Sequence, residues 1–179
     1  MPPTWRLTEY LERKRQLVAA YRTQLGTGDV APAALRAGVR VAAGTGVRPV
    51  RIRDHVVVTD AGAPLGGFGL GASAPELLLG ALASCLAHSA LVIAADRGIA
   101  LDELEVDVSG QLDYRGTLSV DDTTPVAPTD LRYVVRITSP CGDAELAQLH
   151  ADLERLCPVL LAITRPTSVA GRIERHGDA

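Results

Sequence analysis

Three cysteines, Cys85, Cys141 and Cys157, are the residues of this chain best suited to chemistry. A thiolate is a nucleophile and an oxidisable centre, and its reactivity depends on what surrounds it. Cys85 lies in the middle of a long apolar stretch, where a free cysteine commonly behaves as a small buried hydrophobe. Cys157 is followed directly by Pro158. Proline favours the first turn of a helix, so the pair predicts a thiol at a helix N-terminus, where a thiolate is stabilised. Cys141, in Ser139-Pro140-Cys141-Gly142, reads as a turn residue near the surface. Cys141, His150 and Cys157 lack the short paired spacing of structural zinc ligands, and no metal is expected. The chain has no phosphate-binding glycine loop, dinucleotide fingerprint or Gly-x-Ser-x-Gly elbow.

The elements that must position these thiols are legible from periodicity. Leu77 to Ala95 is apolar except for His88 and small hydroxyl and thiol residues. Ser73 and Glu76 form a Ser-x-x-Glu capping box ahead of it, Pro75 sits in the first turn, and Asp96-Arg97-Gly98 supplies a glycine stop. About 20 apolar residues can cross a bilayer. This stretch is alanine-rich and carries Ser84, Cys85, His88 and Ser89, so we read it as a central core helix rather than a membrane span. Leu7, Tyr10, Leu11, Leu17, Val18 and Tyr21 recur at helical spacing over residues 7–22. Residues 25–47 read as a linker or irregular strand region. From Val50, alternation places Ile52, Val56 and Val58 on one face of a strand, and residues 104–115, 131–138 and 167–175 read as further strands. Asp143 to Leu156 is an amphipathic helix with Asp143 as its expected cap. Clustered strands with intervening helices predict an α+β fold.

The chain has 179 residues, 47% hydrophobic and 22% charged, with net charge −3. That length buries roughly 70% of the unfolded surface, enough for a core without disulfide staples. Residues 1–55 hold ten Lys+Arg against four Asp+Glu, and the rest eight against seventeen. With six aromatic residues in all, there is little to stack on bases, so the basic third is read as solvated surface and no nucleic-acid partner is expected. The start shows no apolar export segment, and an odd cysteine count suits a reducing cytoplasm.

Two motifs resemble the OsmC/Ohr family, the osmotically inducible and organic-hydroperoxide-resistance proteins. The first is Leu65-Gly66-Gly67 with the run from Gly71 to Ala87, which includes Ser73-Ala74-Pro75-Glu76 and Ala83-Ser84-Cys85. The second is Cys157-Pro158-Val159, seventy-two positions on, with Thr164-Arg165-Pro166-Thr167 after it. The continuation Gly98-Ile99-Ala100-Leu101-Asp102-Glu103-Leu104-Glu105-Val106 also fits, and the resemblance covers roughly residues 48–175. It divides the chain into an N-terminal helical extension and linker, 1–47, and an OsmC-like domain, 48–179.

The resemblance implies a long buried central helix flanked by antiparallel sheets, in an intertwined homodimer. It implies a thiol peroxidase in which Cys85 reduces an organic hydroperoxide and Cys157 resolves the product as a disulfide, with an external dithiol as reductant. No cofactor is implied. Family peroxidases hold the thiolate with an Arg paired to a Glu. Arg48, Arg51 and Arg53 are the nearby arginines, of which Arg53 is favoured; Glu76 is either the carboxylate partner or only the helix cap. A dimer that binds an apolar small ligand without catalysis is the alternative reading.

Overall fold

Ser73 starts the dominant helix as its capping box predicts. In the computed structural model, which describes residues 6–28 and 30–175, the Ser73 hydroxyl accepts from the Glu76 N–H (3.4 Å). Glu76 in turn accepts from the Ser73 N–H (2.6 Å) and hydroxyl (2.7 Å). Helix α2 then runs Ala74–Arg97 and ends at Gly98, whose φ of 72° is the left-handed conformation that glycine adopts at low cost. Ahead of it lie α1 (Leu7–Gly26), β1 (Gly38–Val39), β2 (Arg48–Ile52) and β3 (His55–Thr59). After it come β4 (Glu103–Gln111), a short α3 (Tyr114–Thr117), β5 (Thr129–Thr138), α4 (Asp143–Leu156) and α5 (Pro158–Thr164).

Two antiparallel sheets form, one of order β1-β2-β3 and one pairing β4 with β5. In the second, Glu103 faces Thr138 and Val106 faces Val135, with an irregularity between Ser109 and Gln111. Period-two alternation turns Leu104, Val106, Val108, Tyr133, Val135 and Ile137 toward the helices. Two clusters make the core. Leu11, Ala90, Ile93, Ala94, Ile99, Leu101, Leu149 and Leu153 form the larger; Leu82, Leu86 and Cys157 form the smaller. Leu11 brings α1 into the larger cluster, and β1 pairs with β2 across residue 47, so residues before 48 share both core and sheet with those after.

Five expectations change. The strand expected over 104–115 stops at Gln111, and Tyr114 opens the short α3 instead. The strand read through Val58 is a hairpin: Arg53 and Asp54 turn the chain, Ile52 pairs with His55, and Arg51 with Val56. Ile52 therefore lies on the opposite face from Val56 and Val58, because the turn inserts two residues that local alternation does not register. The expected strand over 167–175 is irregular and exposed, with Val169 at 90% and Ile173 at 101% exposure. A strand needs a neighbour for its backbone groups, and none lies alongside. The N-cap of α4 is Gly142, with Glu145 accepting its N–H (3.2 Å), and Asp143 is the first helical residue. Finally, α2 is apolar all round and long enough to cross a membrane by composition. Yet only one of its faces is covered within the protomer, where Leu82, Leu86, Ser89, Ala90 and Ile93 are buried.

Between β3 and α2 the loop is organised by Asp60, 1% exposed. Its carboxylate accepts from the N–H groups of Ala61 (2.8 Å), Phe68 (2.9 Å) and Leu70 (3.1 Å). These bonds hold its pKa below the ordinary value of 3.8, against the opposing effect of burial. A depressed carboxyl pKa contributes stability above the unfolded value, and that contribution is lost as pH falls through the folded one. Asp60→Asn should therefore lower the thermal midpoint at neutral pH. The gap from the unsubstituted protein should close as pH drops below about 4, which melting curves across pH would check.

Candidate active site

The chain delivers Cys85 and Cys157 to one place from opposite directions. Cys85 sits on the middle of α2, half-buried, while Cys157 is fully buried between α4 and α5. Pro158 ends α4 and opens α5, as expected from its ring, and Cys157 becomes the N-cap residue of α5 with extended backbone (φ −76°, ψ 111°). Cys85 packs against the cluster that holds Cys157, and the Val159 N–H, the Cys157 thiol and the Ser89 hydroxyl are the groups that act on its ionisation. Both thiols are free.

Burial pushes the Cys85 thiol above its ordinary value of 9.0. The Val159 N–H, unbonded within the first turn of α5, favours the thiolate, and Ser89 adds to that; Cys157 opposes them. No guanidinium is among the groups acting on the thiol. Within one protomer the sulfur is therefore held as a thiol, with two donors already aimed at it. Ser89 and Val159 were not singled out from sequence. Ser89 follows Cys85 by one helical turn, a spacing that does place both on one face, whereas the Val159 N–H has no sequence signal beyond the preceding Pro158.

The two other expected site residues lie elsewhere in the protomer. Glu76 is nine residues before Cys85, about 13 Å along the helix axis and on the opposite face. Its carboxylate is engaged by Ser73, whose hydroxyl and N–H lower its pKa. Arg53 occupies the β2–β3 turn at φ 53° and lines a cleft with Arg36, Arg40 and Arg51.

The surroundings of the thiol pair are apolar. Val106, Val108, Tyr133, Val159, Leu160 and Ile163 pack against the Leu82–Leu86–Cys157 cluster. Leu82, Tyr133, Leu160 and Ile163 also line an adjoining cavity of about 350 Å³ together with Leu131 and Glu154. The Tyr133 hydroxyl is hydrogen-bonded to His150 Nε2 (2.9 Å), and burial raises its pKa, with the charges of Glu154 and Cys157 adding to the effect. Among the described residues no group of His, Cys, Asp and Glu is placed to hold a metal ion.

Comparison with known proteins places the fold and the family. Residues 67–170 match the model of the OsmC-like protein family. An OsmC-like protein from Mycoplasma pneumoniae superposes with a TM-score of 0.62 at 16% identity, covering 75% of this chain and 89% of that one. The organic hydroperoxide resistance protein OsmC from Legionella pneumophila gives 0.55 at 19% identity, covering 75% and 91%. An OsmC-like protein of unknown function from Vibrio cholerae gives 0.56 at 16%, covering 72% and 92%. No curated protein matches in sequence. At these identities the solved structures show the fold, and the matched family segment spans well over half the chain and carries both Cys85 and Cys157: the chain belongs to the OsmC-like protein family.

Proposed function

We propose that the protein is a thiol peroxidase that reduces organic hydroperoxides, with Cys85 as peroxidatic and Cys157 as resolving residue. The observation that carries this reading is the apposition of two free thiols in an apolar setting, one half-exposed and one buried behind it. The Cys85 thiolate attacks the distal peroxide oxygen, the O–O bond breaks, and the alkoxide takes a proton to leave as an alcohol. Cys85 is left as a sulfenic acid. The Cys157 sulfur then attacks the Cys85 sulfur, the S–S bond forms, and the hydroxyl leaves with the Cys157 proton as water. An external dithiol reduces the disulfide by thiol exchange. The adjoining cavity, in which Leu82, Leu131, Tyr133, Leu160 and Ile163 meet Arg132, Glu154 and Thr164, would take an alkyl or aromatic hydroperoxide. We place the reaction in a reducing cytoplasm, where dithiol reductants operate.

The working form in this reading is a homodimer. Its support is apolar surface that one protomer leaves open: the outer face of α2, Phe68 and Leu70 at 65% exposure each, and Val169 and Ile173. Burying these side chains against a second copy would remove them from water. The unpaired 167–175 segment would gain a strand neighbour from a second copy. Arg53 would supply the missing cation to Cys85 across that interface. Arg53→Ala should then shift the rise of peroxidase rate to higher pH, because a neighbouring cation lowers a thiol pKa; an unmoved pH–rate profile assigns the cation elsewhere. Glu76 is left with the helix cap.

The alternative, a dimer that holds an apolar ligand without turnover, draws on the raised pKa of Cys85. One experiment separates the two: one equivalent of cumene hydroperoxide, then intact mass and non-reducing peptide mapping. A Cys85–Cys157 disulfide, with mass lower by about two hydrogens, supports the peroxidase. A protein left fully reduced supports the binding reading.

A further inference from the structure

Part of the basic excess of the first 55 residues, Arg36, Arg40 and Arg51, is brought together by the small sheet. Gly38 pairs with Arg51 and Val39 with Val50 in the antiparallel β1–β2 ladder. Side chains alternate along extended chain, so Arg36 and Arg40, two positions either side of Gly38, fall on the face that Gly38 shares with Arg51. Arg36, Arg40 and Arg51 line a cleft of about 640 Å³ together with Gly38 and Arg53. No carboxylate lines it.

Several other arginines of the protein are paired. Arg22 pairs with Asp96, Arg97 and Arg155 with Asp152, Arg115 with Asp113, and Arg136 with Asp107. Arg36, Arg40 and Arg51, like Arg132 and Arg165, reach no carboxylate among the described residues. Like charges brought together raise the energy of the folded chain unless an anion is supplied. Guanidinium forks match phosphate oxygens in paired hydrogen bonds. From Arg36 to Arg40 the chain covers about 13 Å, and the paired strand lies about 5 Å away. That strip is longer than a single anion and suits a row of them. No aromatic ring lines the cleft, so a nucleobase finds no stacking partner there.

We propose that the β1–β2 face binds a chain of linked phosphate groups, in the cleft of Arg36, Arg40 and Arg51 over Gly38. Arg36, Arg40 and Arg51 take no part in the thiol chemistry; Arg53, which the peroxidase reading assigns to Cys85, adjoins the cleft. Inorganic tripolyphosphate and ATP carry the same phosphate chain from two sources.

Calorimetric titration of the full-length protein with tripolyphosphate tests it. We expect one site per protomer, weakened by added salt and by about tenfold for each guanidinium removed in the Arg36→Ala/Arg40→Ala variant. Gly38→Glu is the sharper test. A Cβ at Gly38 meets nothing within 4 Å, so the side chain is accommodated and sets a carboxylate among the guanidiniums. Binding should be lost while the thermal midpoint rises, a combination that misfolding does not produce. ATP bound as tightly as tripolyphosphate assigns the site to the phosphate chain alone, and ATP bound more tightly assigns nucleotides as its source. Failure to bind tripolyphosphate overturns the proposal. So does affinity unchanged in both variants, inorganic phosphate binding equally well, or a single-stranded oligonucleotide of matched charge binding more tightly.

Discussion

Cys85→Ser should abolish reduction of cumene hydroperoxide by a dithiol, lowering the steady-state rate by about 10³-fold or more, the scale on which loss of a catalytic nucleophile is felt. Serine keeps the shape of the side chain and a hydrogen-bonding atom, so Val159, Ser89 and the apolar wall of Leu82 and Leu86 stay in place. What it removes is the sulfur, whose thiolate form attacks a soft peroxide oxygen where a serine hydroxyl does not. The fold should survive, since Cys85 is half-buried at the edge of the smaller cluster rather than at its centre. Loss of rate with an unchanged melting temperature is the expected pair of results. Cys141→Ser is the matched control: Cys141 hydrogen-bonds Ser139 (2.8 Å) and packs against the larger cluster, away from the Leu82–Leu86–Cys157 group. Equal rates for the Cys85→Ser and unsubstituted proteins would leave the apolar-ligand reading standing.

How much of this was legible in the sequence depends on the range of the interaction. Helix α2 was readable at both ends because its signals, the Ser73–Glu76 box and Gly98, act within four residues. The break at Pro158 was readable for the same reason. The hairpin at Arg53–Asp54 was not, because Arg53 holds the left-handed position (φ 53°) that Gly or Asn usually fills, and Arg-Asp is not an Asn-Gly or Asp-Gly hairpin signature. The 167–175 segment alternates as a strand should, but a strand is completed by its neighbour, which periodicity does not reveal. In the site, the resemblance brought out both cysteines, while the tertiary approach of the Val159 N–H to a thiol 74 positions earlier had no local trace. Glu76 shows how one residue type can satisfy two readings: geometry spends it on the helix N-terminus, where its charge also complements the helix dipole.

Cys157→Ser should separate the two halves of the cycle. The peroxide-cleaving step needs only the Cys85 thiolate, so one equivalent of hydroperoxide should still be consumed, at a rate close to that of the unsubstituted protein. The next step needs a second sulfur, and the one in reach is fully buried at the α4–α5 junction. Without it the Cys85 sulfenic acid has no internal partner and persists, or climbs to the sulfinic and sulfonic acids as peroxide is added. Steady-state turnover should fall by about two orders of magnitude or more, set by how slowly an external dithiol reaches the sulfenic acid directly. Intact mass should show gains of about one, two and then three oxygens on the peptide containing Cys85. Structure adds a cost: Cys157 belongs to the smaller core cluster, and a serine hydroxyl there must find a partner or leave a polar group buried, at about 1–3 kcal/mol. Cys157→Ala avoids that polar group and should give the same single turnover with a different stability change, so agreement of the two variants in kinetics but not in melting assigns the kinetic loss to the missing sulfur. Unchanged steady-state rates in both would remove Cys157 from the cycle and leave resolution to Cys141 or to the external dithiol alone.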